Sequence, residues 1–103
     1  MEKRAKYTET ERRVMQNDML FSYFQTVVEH AQATMDMLEN NWENYLALKE
    51  YMDSGLWLKD YEADERGEIR KAVPRGILSQ DALYNALQDM EDVLKRMKAL
   101  DVL

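Results

Sequence analysis

Between positions 60 and 68 the chain carries Asp60, Glu62, Asp64, Glu65 and Glu68. That density of carboxylate oxygens suits a hard divalent cation such as calcium or magnesium. The spacing argues against one. Counted from Asp60, a calcium loop of the EF-hand type requires Gly where Glu65 stands and a bidentate acid where Lys71 stands. On a helix Asp60 and Asp64 share a face while Glu62 points elsewhere, so only two carboxylates converge. The segment therefore reads as a solvated acidic face that pairs with Arg66, Arg70, Lys71 or Arg75, and no metal ligand is assigned.

Nucleophilic catalysis finds still less to work with. His30 is the single histidine and cysteine is absent, which argues against catalysis by a paired nucleophile and base. His30 lies beside an apolar helical stripe without the Glu-x-x-His spacing of a di-iron bundle. Two carboxylates in a cleft suffice for some acid–base reactions, but nothing in the chain selects a pair. No catalytic residue and no cofactor are assigned. Arg75-Gly76, just ahead of Ser79, could present a helix amino terminus to an anion, yet Asp81 places its own charge at that positive end. The simpler expectation is an ion pair of Arg75 with Asp60 or Asp64 that locks the loop onto the preceding short helix. Trp57, Tyr61 and Tyr84 form either an aromatic patch for a partner or anchors between the short helix and the last one. Together Trp57, Asp60, Tyr61, Asp64, Arg75, Asp81 and Tyr84 make up the candidate interaction or structural face.

The elements that must position these groups are helical. No Gly or Pro occurs before Gly55, and Val14, Phe21, Phe24, Val28, Ala31, Met35 and Leu38 recur at spacings of three and four with one skipped position at Asn17. Thr8 and Glu11 form a capping box that starts a helix near Glu9. The register continues through Trp42, Tyr45 and Met52, which permits one helix to Asp53, but Asn40-Asn41 is a poor interior pair. The expectation is two helices, Glu9 to Glu39 and Asn41 to Asp53, joined by a bend. Ser54-Gly55 then ends the second, Leu56 to Arg66 forms a short helix closed by Gly67, and Glu68 to Ile77 is a loop containing Pro74 and Gly76. Leu83, Leu87, Met90, Leu94 and Met97 mark a final helix over about Gln80 to Leu100, capped by Ser79.

A chain of 103 residues makes one domain, residues 1–103, with residues 1–8 a flexible amino terminus. The fold expected is all-α, an antiparallel helical bundle with a long first helix, a bent middle segment and a long carboxy-terminal helix. Stripes this long exceed what so short a chain covers, so a homodimer is expected. A net charge of −6 argues against nucleic acid, whose affinity comes from Lys and Arg on phosphates. The charge-interleaved start, MEKRAKYTETERR, reads as neither signal peptide nor membrane anchor, and the apolar runs are too short to span a bilayer. A cytoplasmic location follows from that reading.

Two elements carry a resemblance. Ser54, Trp57, Leu58, Asp60, Tyr61, Glu62, Asp64 and Gly67, followed by Arg75, Gly76, Leu78, Ser79, Asp81, Ala82 and Tyr84, resemble a family of small bacterial helical proteins described only as a domain of unknown function. The resemblance implies a helical bacterial protein and no activity, cofactor or partner. The functional expectation is thus a non-enzymatic interaction or adaptor protein. Its alternative is a divalent-metal or small-ligand-binding protein or enzyme using the acidic 60–68 segment.

Overall fold

The computed structural model describes residues 6–102, so the first five residues of the expected flexible terminus lie outside it. Among the described residues there are three α-helices and no strand: α1 (Glu9–Asp53), α2 (Leu56–Glu65) and α3 (Ala82–Asp101), with a 3₁₀ turn at Gly76–Leu78 before α3. The all-α expectation holds.

The capping box forms as read. The Thr8 N–H donates to Glu11 Oε1 at 2.8 Å and the Glu11 N–H to Thr8 Oγ1 at 3.1 Å, which satisfies two amide groups that the helix start leaves open. The expected division into Glu9–Glu39 and Asn41–Asp53 is corrected, because α1 is helical throughout Glu9–Asp53. The reason lies in magnitudes. An interior Asn costs well under about 1 kcal/mol relative to Ala, whereas a true breaker such as Pro costs about 3. Asn44 also turns its amide onto Asn41 Oδ1 at 3.3 Å, so these polar side chains are satisfied along the helix surface. Position 40/41 is nonetheless where the chain divides into two compact units, Met1–Asn40 and Asn41–Leu103.

The first unit is the amino-terminal part of α1, and every described residue from Lys6 to Met37 is exposed. Val14, Phe21 and Phe24, at the centre of the apolar stripe, are 60%, 57% and 62% exposed. Within the single chain this stripe is uncovered.

The second unit is built on two glycine stops. Gly55, at φ 85°, ends α1 and serves as the amino-terminal cap of α2. Gly67, at φ 74°, closes α2 with paired bonds, its own N–H to Asp64 O at 2.9 Å and the Glu68 N–H to Ala63 O at 3.0 Å. That double closure is the Schellman arrangement, which needs a residue tolerant of left-handed backbone. Both α2 and α3 then pack on the 3₁₀ turn. Leu78 of the turn and Leu83 of α3 are the buried residues of this small core. Leu87, Met90 and Leu94 continue the α3 stripe half-buried, while Leu100 at its far end is exposed.

The start of α3 departs from expectation. Ser79 does not cap it: the cap position falls on Asp81, and the Ser79 hydroxyl donates to Gly76 O within the 3₁₀ turn. The helix begins at Ala82, after Asp81 has adopted a left-handed conformation at φ 65°. An L-residue there costs about 1–2 kcal/mol, a cost that Asp and Asn bear better than most and β-branched residues worst. Asp81→Gly is therefore expected to leave the melting temperature level or raise it. Asp81→Val should lower it by an amount equivalent to about 1–2 kcal/mol. Thermal unfolding of the two variants checks the ordering, and a more stable valine variant would deny the left-handed backbone.

Candidate functional site

The residues singled out from sequence gather around α2 and the loop that follows it. Trp57 and Tyr61 stand one helical turn apart and stack with ring centroids 5.2 Å apart at 17°. The Trp57 indole N–H donates to Ile77 O at 2.8 Å, which ties α2 to the 3₁₀ turn across twenty residues of chain. Asp64 accepts from Arg75 Nη1 at 2.9 Å, and the same nitrogen donates to Ile69 O at 3.1 Å. Their side chains are 26% and 33% exposed, so the pair is half-buried. Of the two acids expected as partners for Arg75, the structure selects Asp64.

Asp60 is engaged from the other side. It accepts the Tyr51 hydroxyl at 2.6 Å, joining the last turn of α1 to α2. Tyr51 escaped the reading of the sequence, since its partnership depends on how the chain reverses at Gly55. Burial first, then the hydrogen bond and the charge of Asp60, push the Tyr51 phenol up from 10.0 to about 12. Folding thus favours the neutral phenol. That contribution is present in full below pH 10 and is lost as pH rises through about 12. Titration of tyrosinate absorbance is expected to show one late phenol near that value, removed by Tyr51→Phe. If the late step persists in that variant, it belongs to another tyrosine.

The remaining candidates sit apart. Asp81 lies in its left-handed turn without a side-chain cap bond to α3. Tyr84, expected to join the aromatic patch or anchor α3, is 59% exposed. Glu68 pairs with Arg66 at 2.9 Å, a fully solvated bridge in which the hydrogen bond from Arg66 and then its charge lower the carboxyl below its ordinary range. Such surface pairs add little stability. Among the described residues no three His, Cys, Asp or Glu side chains come together as a metal site. His30 is exposed on α1. A shallow open groove in the second unit is lined by Trp42 together with Leu94, Lys95 and Met97 of α3.

These features define a small all-α protein in which Asp64 and Arg75 hold one another in place and Asp60 is held by Tyr51. The chain belongs to the family described as Domain of unknown function (DUF4298), which it matches over residues 13–100. No curated protein and no solved structure matches it. No helix among the described residues is long and apolar enough to cross a membrane.

Proposed function

We propose that this chain is a non-enzymatic interaction or adaptor protein of the bacterial cytoplasm, acting as a homodimer, with the amino-terminal part of α1 as its docking face. One observation carries the reading: Phe21 and Phe24, with Val14 and Leu20 along the same helix, stand 57–62% exposed in the single chain. A helix that shows a contiguous row of large apolar side chains to water gains most of its stability from whatever covers that row. The competing metal reading loses three of its five acids to other partners, since Asp60 is held by Tyr51, Asp64 by Arg75 and Glu68 by Arg66.

Hydrogen exchange on wild type and a Phe21→Ser, Phe24→Ser variant, purified and again in bacterial cytosol, tests the docking face. Ser and Phe have similar intrinsic helix propensity, so on a face that docks nothing the change leaves exchange over residues 9–40 as it was. A docking face predicts protection over those residues in wild type that the variant loses, with the second unit unaffected. Equal exchange in both chains would sink the reading.

A further inference from the structure

Resting on that docking face, we infer that its occupant is the same helix of a second copy, paired antiparallel about a two-fold axis level with Thr26. The stripe from Val14 to Leu38 lies wholly in the first unit and occupies the a and d sites of successive heptads. It is symmetric about that point. Reversed on itself, it sets Val14 level with Leu38 of the second copy, Asn17 with Met35, Phe21 with Ala31, and Phe24 with Val28.

Two features select the antiparallel sense. First, the reversal puts large residues against smaller ones, Phe21 on Ala31 and Phe24 on Val28, which is how facing layers fill space. A parallel pair would set Phe21 on Phe21 and Ala31 on Ala31, crowding one layer and emptying another. Second, the two flanks of the stripe differ. One bears Leu20 and Val27, which are 61% and 46% exposed, with Arg13 and Thr34 at its two ends; the other bears Asp18, Gln25, Gln32 and Glu39. Antiparallel helices bring like flanks together, so Val27 buries against its counterpart and Leu20 against Thr34 of the second copy. Parallel helices would place them against Gln25 and Gln32.

The area is sufficient. Val14, Leu20, Phe21, Phe24, Val27 and Val28 are between 37% and 62% exposed. At about 100 Å² of accessible surface each they supply roughly 600 Å², the lower end of the roughly 600–1,000 Å² per partner of a standard-size interface. The polar flank brings Glu11 near Glu39 of the second copy, so added salt, by screening that repulsion, is expected to tighten the dimer.

Because the chain has no cysteine, single spin labels can be placed in the full-length protein at Thr26→Cys, Ala33→Cys and Asn40→Cys. All three fall on one exposed line of α1, seven residues apart and away from the stripe. Antiparallel pairing separates the two labels along the axis by about 0, 21 and 42 Å respectively, at 1.5 Å per residue. Dipolar spectroscopy should therefore read a distance that lengthens from 26 through 33 to 40, with a signal that vanishes on dilution with unlabelled chain. One distance common to all three sites would mean parallel pairing and overturn the inference. Absence of an intermolecular signal would overturn it too, and if exchange protection of residues 9–40 then arose only in cytosol, the docking face would stand with a different partner.

Discussion

Replacing Leu83 by alanine is expected to destabilise the second unit by about 2–4 kcal/mol, because Leu83 and Leu78, each 6% exposed, are the buried core residues among those described. Lost transfer free energy and the cavity left behind both contribute, and a core this small has few neighbours able to collapse into the space. A unit of roughly sixty residues has a total stability of only about 3–9 kcal/mol, so the loss is a large share of it. The melting temperature should fall by about 10–25 °C. Tryptophan fluorescence is the appropriate probe, since Trp42 and Trp57 both lie in the second unit. Far-ultraviolet circular dichroism would instead be weighted by the length of α1. A fall below about 3 °C would show that Leu83 is not in a packed core.

The size of that effect reflects how little of the chain is interior, and here sequence and structure meet unevenly. Helical type and most boundaries were legible because they depend on local rules: the Thr8–Glu11 box, the left-handed residues at Gly55 and Gly67, and the four-and-three spacing of Leu83, Leu87, Met90 and Leu94 all act within a turn or two. The break expected at Asn40-Asn41 was misread for a matter of magnitude. Each Asn carries a propensity cost of only a few tenths of a kcal/mol, too little to break a helix whose register runs uninterrupted through Trp42 and Tyr45. The start of α3 differs from the expectation because the left-handed residue at Asp81 moves the cap position two residues beyond Ser79, whose hydroxyl donates to Gly76 O in the preceding 3₁₀ turn.

The candidate face was legible in part for a related reason. Charge arithmetic foresaw that Arg75 would find an acid on α2, but Asp60 and Asp64 share a helical face, and choosing between them depends on Tyr51, which arrives from another helix. Once Tyr51 satisfies Asp60, Asp64 is the acid left to compensate Arg75. Non-local pairings of this kind follow from chain reversals at Gly55 and Gly67 whose angles a one-dimensional pattern does not contain. Three of the five acids that first suggest a cation, Asp60, Asp64 and Glu68, are thereby taken by separate partners.

The second large effect is expected at Trp57. Its ring stacks on Tyr61 and its N–H donates to Ile77 O at 2.8 Å, so a single side chain both packs along α2 and fixes the 3₁₀ turn to it. Trp57→Phe keeps an aromatic ring for the stack and removes the donor, leaving Ile77 O without this bond, and is expected to cost about 1–1.5 kcal/mol. Trp57→Ala removes the stack and the covered area as well. Full truncation of a buried Trp costs about 3–5 kcal/mol, and because this one is half-buried, about 2–3 kcal/mol is expected. Denaturant unfolding followed by the remaining Trp42 gives both numbers. The order alanine below phenylalanine below wild type, with exchange over residues 9–40 unchanged in all three, would assign Trp57 to the architecture of the second unit and leave docking to α1. If Trp57→Ala instead left stability within about 0.5 kcal/mol of wild type, as surface substitutions do, the indole would be free of any structural duty.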